Sequence, residues 1–178
     1  MSTTFSRHGL SLSELVDKAV PATPTMPLMH AAAGPKLFEI VDEGKVRKSP
    51  SGAYSDPLVY LFYGRPAYRP DIESLSTSES AFRPVCFLLK PEAATQIQRV
   101  LPLDSGAFHR GYFREHCPDD IKLSSFELDG KIDSAAKIVS VFFGSNVSYY
   151  FGKANKNISL LATMLVASIY KGIISNTG

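Results

Sequence analysis

Four aromatic side chains and two arginines crowd the segment from Val59 to Arg69, whose sequence is VYLFYGRPAYR. Aromatic rings stack on flat groups, and an arginine fork binds phosphate or carboxylate oxygens in pairs. A glycine and a proline interrupt the segment after its apolar start, which ends any strand there. The pattern predicts a pocket for a flat, negatively charged ligand. An aromatic-rich core strand with a solvated arginine is the alternative.

Alternation along a strand divides these aromatic residues between two faces. Tyr60 and Phe62 share one face, and Tyr63 belongs to the other. One pair can therefore build the core while Tyr63 and Tyr68 stack on a ligand ring. Arg65 offers two parallel donors for a pyrophosphate.

A histidine lies upstream of this segment, at the start of LMHAAAGPKLFEIVDEGKV. His30 ends an extended stretch, and the three alanines after it leave room for a ligand. Its imidazole can donate to a sugar hydroxyl while nearby backbone groups bond a planar amide. The alternative is a half-buried histidine that only bonds a carbonyl.

Helical and extended patterns mix along the chain without a regular strand-helix rhythm. They predict an α+β fold with small mixed or antiparallel sheets and flanking helices, in a single domain over 1–178. Residues 1–27 form an N-terminal helix and a proline-rich connector in this interpretation, and 28–178 form the core. The predicted helices cover residues 10–20, 34–44, 133–144 and 158–173. Ser11 or Ser13 is expected to cap the first of them and Asp133 the third, the second and third end at Gly44 and Gly144, and the second has an apolar stripe of Leu37, Ile40 and Val41. The predicted strands cover 59–63, 85–89 and 99–103, with a tight turn at 104–106.

Composition narrows the class of protein. The 178 residues are 44% hydrophobic and 20% charged, with a formal net charge of +2, which is too small to drive nucleic-acid binding by bulk electrostatics. The two cysteines lack metal-ligand spacing, so we expect no bound metal and a reduced cytoplasmic setting. We expect no secretory signal and no membrane span. Phosphate-binding glycine loops and the common hydrolase motifs are absent from the sequence.

Residues Leu28 to Arg69 together resemble the ADP-ribosyltransferase superfamily, most nearly the DarT-like nucleic-acid enzymes. The resemblance lies in a first strand ending in a histidine, the helix PKLFEIVDEGKV and an aromatic strand that turns through GRPAYR. It implies that His30 binds the nicotinamide side of NAD and that Arg65 acts at the catalytic centre. Tyr63 or Tyr68 would supply the stacking ring.

The superfamily also uses a glutamate on a late strand, and two residues are candidates for it. Glu127 in SSFELDG is the leading one, and Glu115 in FREHC is the other. Neither lies in a motif that matches the family, so the chain is expected to be either an active enzyme, a truncated form or an inactive relative.

The resemblance thus implies an NAD-dependent ADP-ribosyltransferase, acting as a toxin or phage-defence effector on nucleic acid or protein, with a neutralising partner protein. A non-catalytic module of the same fold that holds a nucleotide or protein partner is the first alternative. A structural or toxin-neutralising protein is the second.

Overall fold

The computed structural model describes residues 11–66, 84–117 and 121–155. The chain divides into two compact units. The sheet unit is Met26–Ala94, and the helical unit comprises Met1–Thr25 with Thr95–Gly178. The expectation of a single domain stays a prediction.

A three-stranded antiparallel sheet forms the sheet unit. Strand β1 (Leu28–Ala33) lies in the middle, between β2 (Phe62–Tyr63) and β3 (Pro84–Leu89). Proline lacks an amide hydrogen, which suits Pro84 to the first position of its strand. The predicted strand at 85–89 is confirmed, whereas the one predicted at 59–63 is paired only over its last two residues.

The register assigns every side chain of the sheet to one of two faces. Leu28 pairs with Tyr63 on one side and with Leu89 on the other, and His30 pairs with Phe87. Because paired residues share a face and alternate residues return to it, these five side chains lie on one face, which we call the His30 face. Met29, Phe62, Cys86 and Leu88 belong to the opposite face.

Helix α2 (Lys36–Glu43) follows β1 and ends where the sequence predicts, at Gly44. Gly44 has a φ of 61°, a left-handed conformation that glycine adopts without the penalty a Cβ would bring. None of the residues of α2 is buried, and Phe38 and Val41 are 73% and 61% exposed. The apolar stripe predicted for this helix therefore does not enter a core within the described residues.

The hydrophobic core cluster of the described residues lies in the helical unit, while Leu28 and Met29 are buried in the sheet unit. Helix α1 (Leu12–Asp17) begins with a capping box, in which the Ser11 hydroxyl accepts from the Glu14 amide and the Glu14 carboxylate accepts from the Ser11 amide. Its Leu12, Leu15 and Val16 are buried. Helix α4 (Ile132–Phe143) is the longest described helix and contributes Phe142 to the same core.

Short elements complete the helical unit. Strands β4 (Arg99–Val100) and β5 (Leu128–Asp129) pair antiparallel. Helices α3 (Ser105–His109) and α5 (Asn146–Tyr150) each have a side-chain cap. Single turns of 3₁₀ helix span Pro91–Ala93 in the sheet unit and Arg114–His116 and Leu123–Phe126 in the helical unit.

Three local predictions for the helical unit need correction. The tight turn predicted at 104–106 is the start of α3, because the Asp104 carboxylate accepts from the Ala107 amide and caps a helix. Asp133 lies in the first turn of α4 and does not cap it, although the helix does end at Gly144 as predicted. The strand predicted at 99–103 has only two paired residues.

The α+β class is confirmed at the level of mixed helices and small antiparallel sheets. Among the described helices, none has the length and apolar character that a membrane span requires. The helix predicted over 158–173 lies outside the described residues.

Candidate functional site

His30 is the half-buried centre of the candidate site and is fixed by a backbone carbonyl. Its Nδ1 lies 3.0 Å from the carbonyl oxygen of Tyr60, in the segment just before β2. Its ring centre lies 6.5 Å from that of Phe87, the paired residue on β3, with 34° between the ring planes. The ring is therefore held from both neighbouring sides of β1.

The contact with Tyr60 decides which nitrogen carries the proton in neutral His30. A carbonyl oxygen can only accept, so Nδ1 must be the donor, and Nε2 is left as an acceptor. The sequence-based prediction had the ring donating to a sugar hydroxyl. In the neutral form the geometry reverses that direction, because it leaves Nε2 able only to accept a hydrogen bond.

The same contact explains why the predicted strand at 59–63 is shorter in the structure. Within the described residues, β2 pairs with β1 only through Phe62 and Tyr63. The carbonyl of Tyr60 bonds the His30 side chain, two residues before that pairing begins. The Tyr60 carbonyl, which the sequence predicts to bond a neighbouring strand, thus orients the His30 imidazole instead.

Tyr63 shares the His30 face, but its hydroxyl is engaged elsewhere. The register places Tyr63 opposite Leu28, two residues from His30, which separates their Cα atoms by roughly 7 to 8 Å. Its hydroxyl accepts a hydrogen bond of 3.0 Å from the Met26 amide, before the start of β1. The ring is half-buried and anchored, so Tyr63 contributes a fixed wall to this face.

Gly64 turns the chain sharply between Tyr63 and Arg65. The Arg65 amide donates to the Tyr63 carbonyl at 2.9 Å, and Gly64 at the centre has a φ of 69°. A Cβ at this glycine would lie 2.6 Å from Sδ of Met26, closer than carbon and sulfur approach. The predicted break after the aromatic strand is confirmed, and it places half-buried Arg65 directly beyond β2. Tyr68 lies outside the described residues.

Glu127, the leading candidate for the catalytic carboxylate, belongs to the helical unit. It ends a 3₁₀ turn directly before β5, and its Oε1 lies 3.4 Å from Nη1 of Arg99 on β4. Both side chains are 29% exposed. Arg99 cannot be recognised as a partner from the sequence, since pairing between β4 and β5 brings the two together across 28 residues. Glu115, the other candidate, lies exposed in the 3₁₀ turn Arg114–His116.

Tyr60 and Ser51 are site residues that the sequence reasoning missed. Tyr60 was assigned to the core, yet it is 36% exposed and its carbonyl holds His30. Its hydroxyl lies 2.5 Å from that of Ser51. No sequence signal identifies Ser51, because its position depends on how the loop between α2 and β2 closes.

Within the described residues, neither a cluster of metal ligands nor the thiol of Cys117 offers chemistry for this site. No group of three or more histidine, cysteine, aspartate or glutamate side chains is close enough there to hold a metal ion. Burial raises the pKa of the Cys117 thiol, which keeps it protonated and poorly nucleophilic at neutral pH.

Comparison of the chain with protein-family models, with curated proteins and with solved structures found no match.

Proposed function

We propose that the His30 face binds NAD and that the chain is an ADP-ribosyltransferase. The observation that carries the proposal is the register of the sheet, which puts His30 and Tyr63 on one face of neighbouring strands. Two residues farther on, the Gly64 turn delivers Arg65 to the end of β2. The sheet and the turn after β2 thus supply an acceptor nitrogen from His30, an aromatic ring from Tyr63 and a guanidinium from Arg65.

Each of these groups suits one part of NAD. Nε2 of neutral His30 can accept from a ribose hydroxyl or from the carboxamide NH₂ of nicotinamide. Phe87 and Tyr63 offer ring faces and edges for the flat nicotinamide. The Arg65 guanidinium can form paired, charge-assisted hydrogen bonds with pyrophosphate oxygens.

Transfer requires nicotinamide to leave through an oxocarbenium-like transition state, which a fixed carboxylate stabilises. Glu127 of the helical unit stays the sequence-based candidate for this role, with a nucleic acid or a protein as the acceptor. Arg99 can orient the Glu127 carboxylate, because its Nη1 lies 3.4 Å from Oε1 of Glu127.

One observation favours a second candidate function, a binding module without transferase activity. The carboxylate of Glu127 already pairs with the guanidinium of Arg99. This ion pair offsets part of the negative charge that would stabilise the transition state. In that case the His30 face would hold a nucleotide or a partner without cleaving it.

Titration of the full chain with NAD tests the binding step. Replacing Arg65 with alanine should weaken NAD binding by about 1.5 to 3 kcal/mol, because a charge-assisted hydrogen bond is lost. Arg47→Ala is the matched control, since this exposed arginine pairs with Glu43 on the surface of the same unit. Equal NAD affinities for the Arg65 and Arg47 variants would remove Arg65 from the site.

Incubation with labelled NAD then separates the two candidate functions, with nicotinamide release and label transfer as readouts. Glu127→Gln should slow transfer by about 100-fold or more while NAD still binds, because the amide keeps the shape and removes the charge. Transfer at the original rate would exclude Glu127. NAD binding without any transfer by the unmodified chain would favour the binding module.

A further inference from the structure

Loop residues 49–58 are tied to the His30 ring by a chain of hydrogen bonds that begins at Ser51. The loop is closed by two backbone hydrogen bonds of 2.9 Å between Ser49 and Leu58. Inside it, the Ser51 hydroxyl oxygen accepts from the amides of Ala53 and Tyr54, at 3.1 and 3.0 Å. A serine that accepts from amides two and three residues ahead stabilises a local turn.

These contacts fix the direction of the next hydrogen bond. With two amides donating to its oxygen, the Ser51 hydroxyl directs its own proton to another acceptor. The hydroxyl of Tyr60 lies 2.5 Å away and is the contact that the structure gives it. Ser51 therefore donates to Tyr60 and holds its side chain against the loop.

Tyr60 is thereby restrained at three places. Leu58 is bridged to Ser49 just before it, Phe62 is paired with β1 just after it, and its own side chain is held by Ser51. Its carbonyl is then presented at 3.0 Å to Nδ1 of His30. Since the hydrogen bond made by one ring nitrogen of a histidine sets which nitrogen carries the proton, the loop acts on the tautomer of the ring through the Tyr60 carbonyl.

We propose that Ser51 is a positioning residue, which acts through Tyr60 to keep the proton of neutral His30 on Nδ1 and so leaves Nε2 as an acceptor. The site then selects a ligand group that donates, such as a hydroxyl or an amide NH₂, over one that only accepts. The selection of a donor group rests on the proposed NAD site. The effect on the tautomer does not, because the ring, its carbonyl partner and the loop are all present without ligand.

The tautomer can be read directly from the two ring nitrogen signals of ¹⁵N-histidine-labelled chain, at a pH where His30 is neutral and without NAD. We expect the unmodified chain to carry the proton on Nδ1. Ser51→Ala should move a measurable share of it to Nε2, and Ser51→Thr, which keeps the hydroxyl, should restore the original spectrum. Ser55→Ala is the matched control, an exposed serine of the same loop, and should change nothing.

Tyr60→Phe provides a second test that spares the turn inside the loop. It removes the hydroxyl that Ser51 bonds and leaves the carbonyl of residue 60 in place, so the tautomer should shift in the same direction as in Ser51→Ala. Far-UV circular dichroism verifies that each variant is folded. A folded chain with the proton on Nε2, or folded Ser51→Ala and Tyr60→Phe variants with unchanged ring signals, would overturn the proposal.

Affinity for NAD gives an independent readout. Ser51→Ala should weaken NAD binding by about 3- to 10-fold, the usual size of one lost hydrogen bond, while Ser55→Ala leaves it unchanged. Absence of NAD binding by the unmodified chain would contradict the proposed function and would leave the tautomer experiment as the test of Ser51. A tautomer shift with unchanged NAD affinity would overturn the selection of a donor group.

Discussion

Gly64 is the position where the sheet unit depends most on the absence of a side chain. Its φ of 69° lies in the left-handed region, where an alanine costs about 1 to 2 kcal/mol. A Cβ there would also lie 2.6 and 2.7 Å from Sδ and Cε of Met26, about 1 Å closer than ordinary contact. Because those atoms are at the flexible end of a side chain, we expect the overlap to add about 1 to 3 kcal/mol.

Gly44 provides a matched control for the backbone term. Its φ of 61° is similar, but a Cβ there would have no neighbour within 4 Å. After allowing about 0.4 to 1 kcal/mol for the reduced entropy of the unfolded alanine chain, Gly44→Ala should destabilise the sheet unit by about 1 kcal/mol. Gly64→Ala should destabilise it by about 2 to 4 kcal/mol.

Urea unfolding followed by far-UV circular dichroism measures the difference, and amide exchange in β1 and β2 assigns it to the sheet unit. Combining Gly64→Ala with Met26→Ala should recover part of the loss, since the smaller side chain removes the overlap. Equal free energies of unfolding for the Gly44 and Gly64 variants would refute this account of the turn. So would a double variant that shows no recovery.

Two further predictions concern the helical unit. Phe126→Ala should lower the free energy of unfolding by about 3 to 5 kcal/mol, because this ring is fully buried. Phe151→Ala should change it by less than about 0.5 kcal/mol, because that ring is 66% exposed. Thermal unfolding of the two variants and the unmodified chain measures the difference. The hydrogen bonds from the Ser11 amide and hydroxyl lower the pKa of Glu14 in the folded chain. The Glu14 carboxylate therefore contributes fully to stability above the ordinary carboxyl pKa, and this contribution is lost as the pH falls through the lowered pKa of the folded chain. Ser11→Ala removes the hydroxyl donor and keeps the amide, so it should raise the pKa of Glu14 in a carbon-detected titration, and an unmoved pKa would contradict the hydrogen bond from the hydroxyl.

Local chemistry made much of the fold predictable from the sequence. The capping serine of α1, the glycine ends of α2 and α4 and the apolar strand β3 depend on neighbours within a few residues. The break at Gly64 is local too, since both its backbone conformation and the following proline can be recognised in the sequence. These predictions agree with the structure for that reason.

Contacts between distant residues were the ones that sequence reasoning missed. The carbonyl of Tyr60 bonds a histidine 30 residues away, which shortens the ladder and leaves Nε2 of neutral His30 as an acceptor. Arg99 meets Glu127 across 28 residues. Ser51 acquires its role from the closure of a loop, and serine is common in loops without such a role. Periodicity and composition carry no information on any of the three.

The most direct test of the central claim is the titration of the ¹⁵N-histidine-labelled chain with NAD, followed at the ring nitrogens. The chain has four histidines, so three of them serve as internal references, and His30→Asn assigns the fourth. We predict that Nε2 of His30 alone shifts, with saturation, as it accepts a hydrogen bond from the ligand. Ring signals of His30 that do not change with NAD, or that change no more than those of the other three histidines, would contradict the assignment of the His30 face as an NAD site.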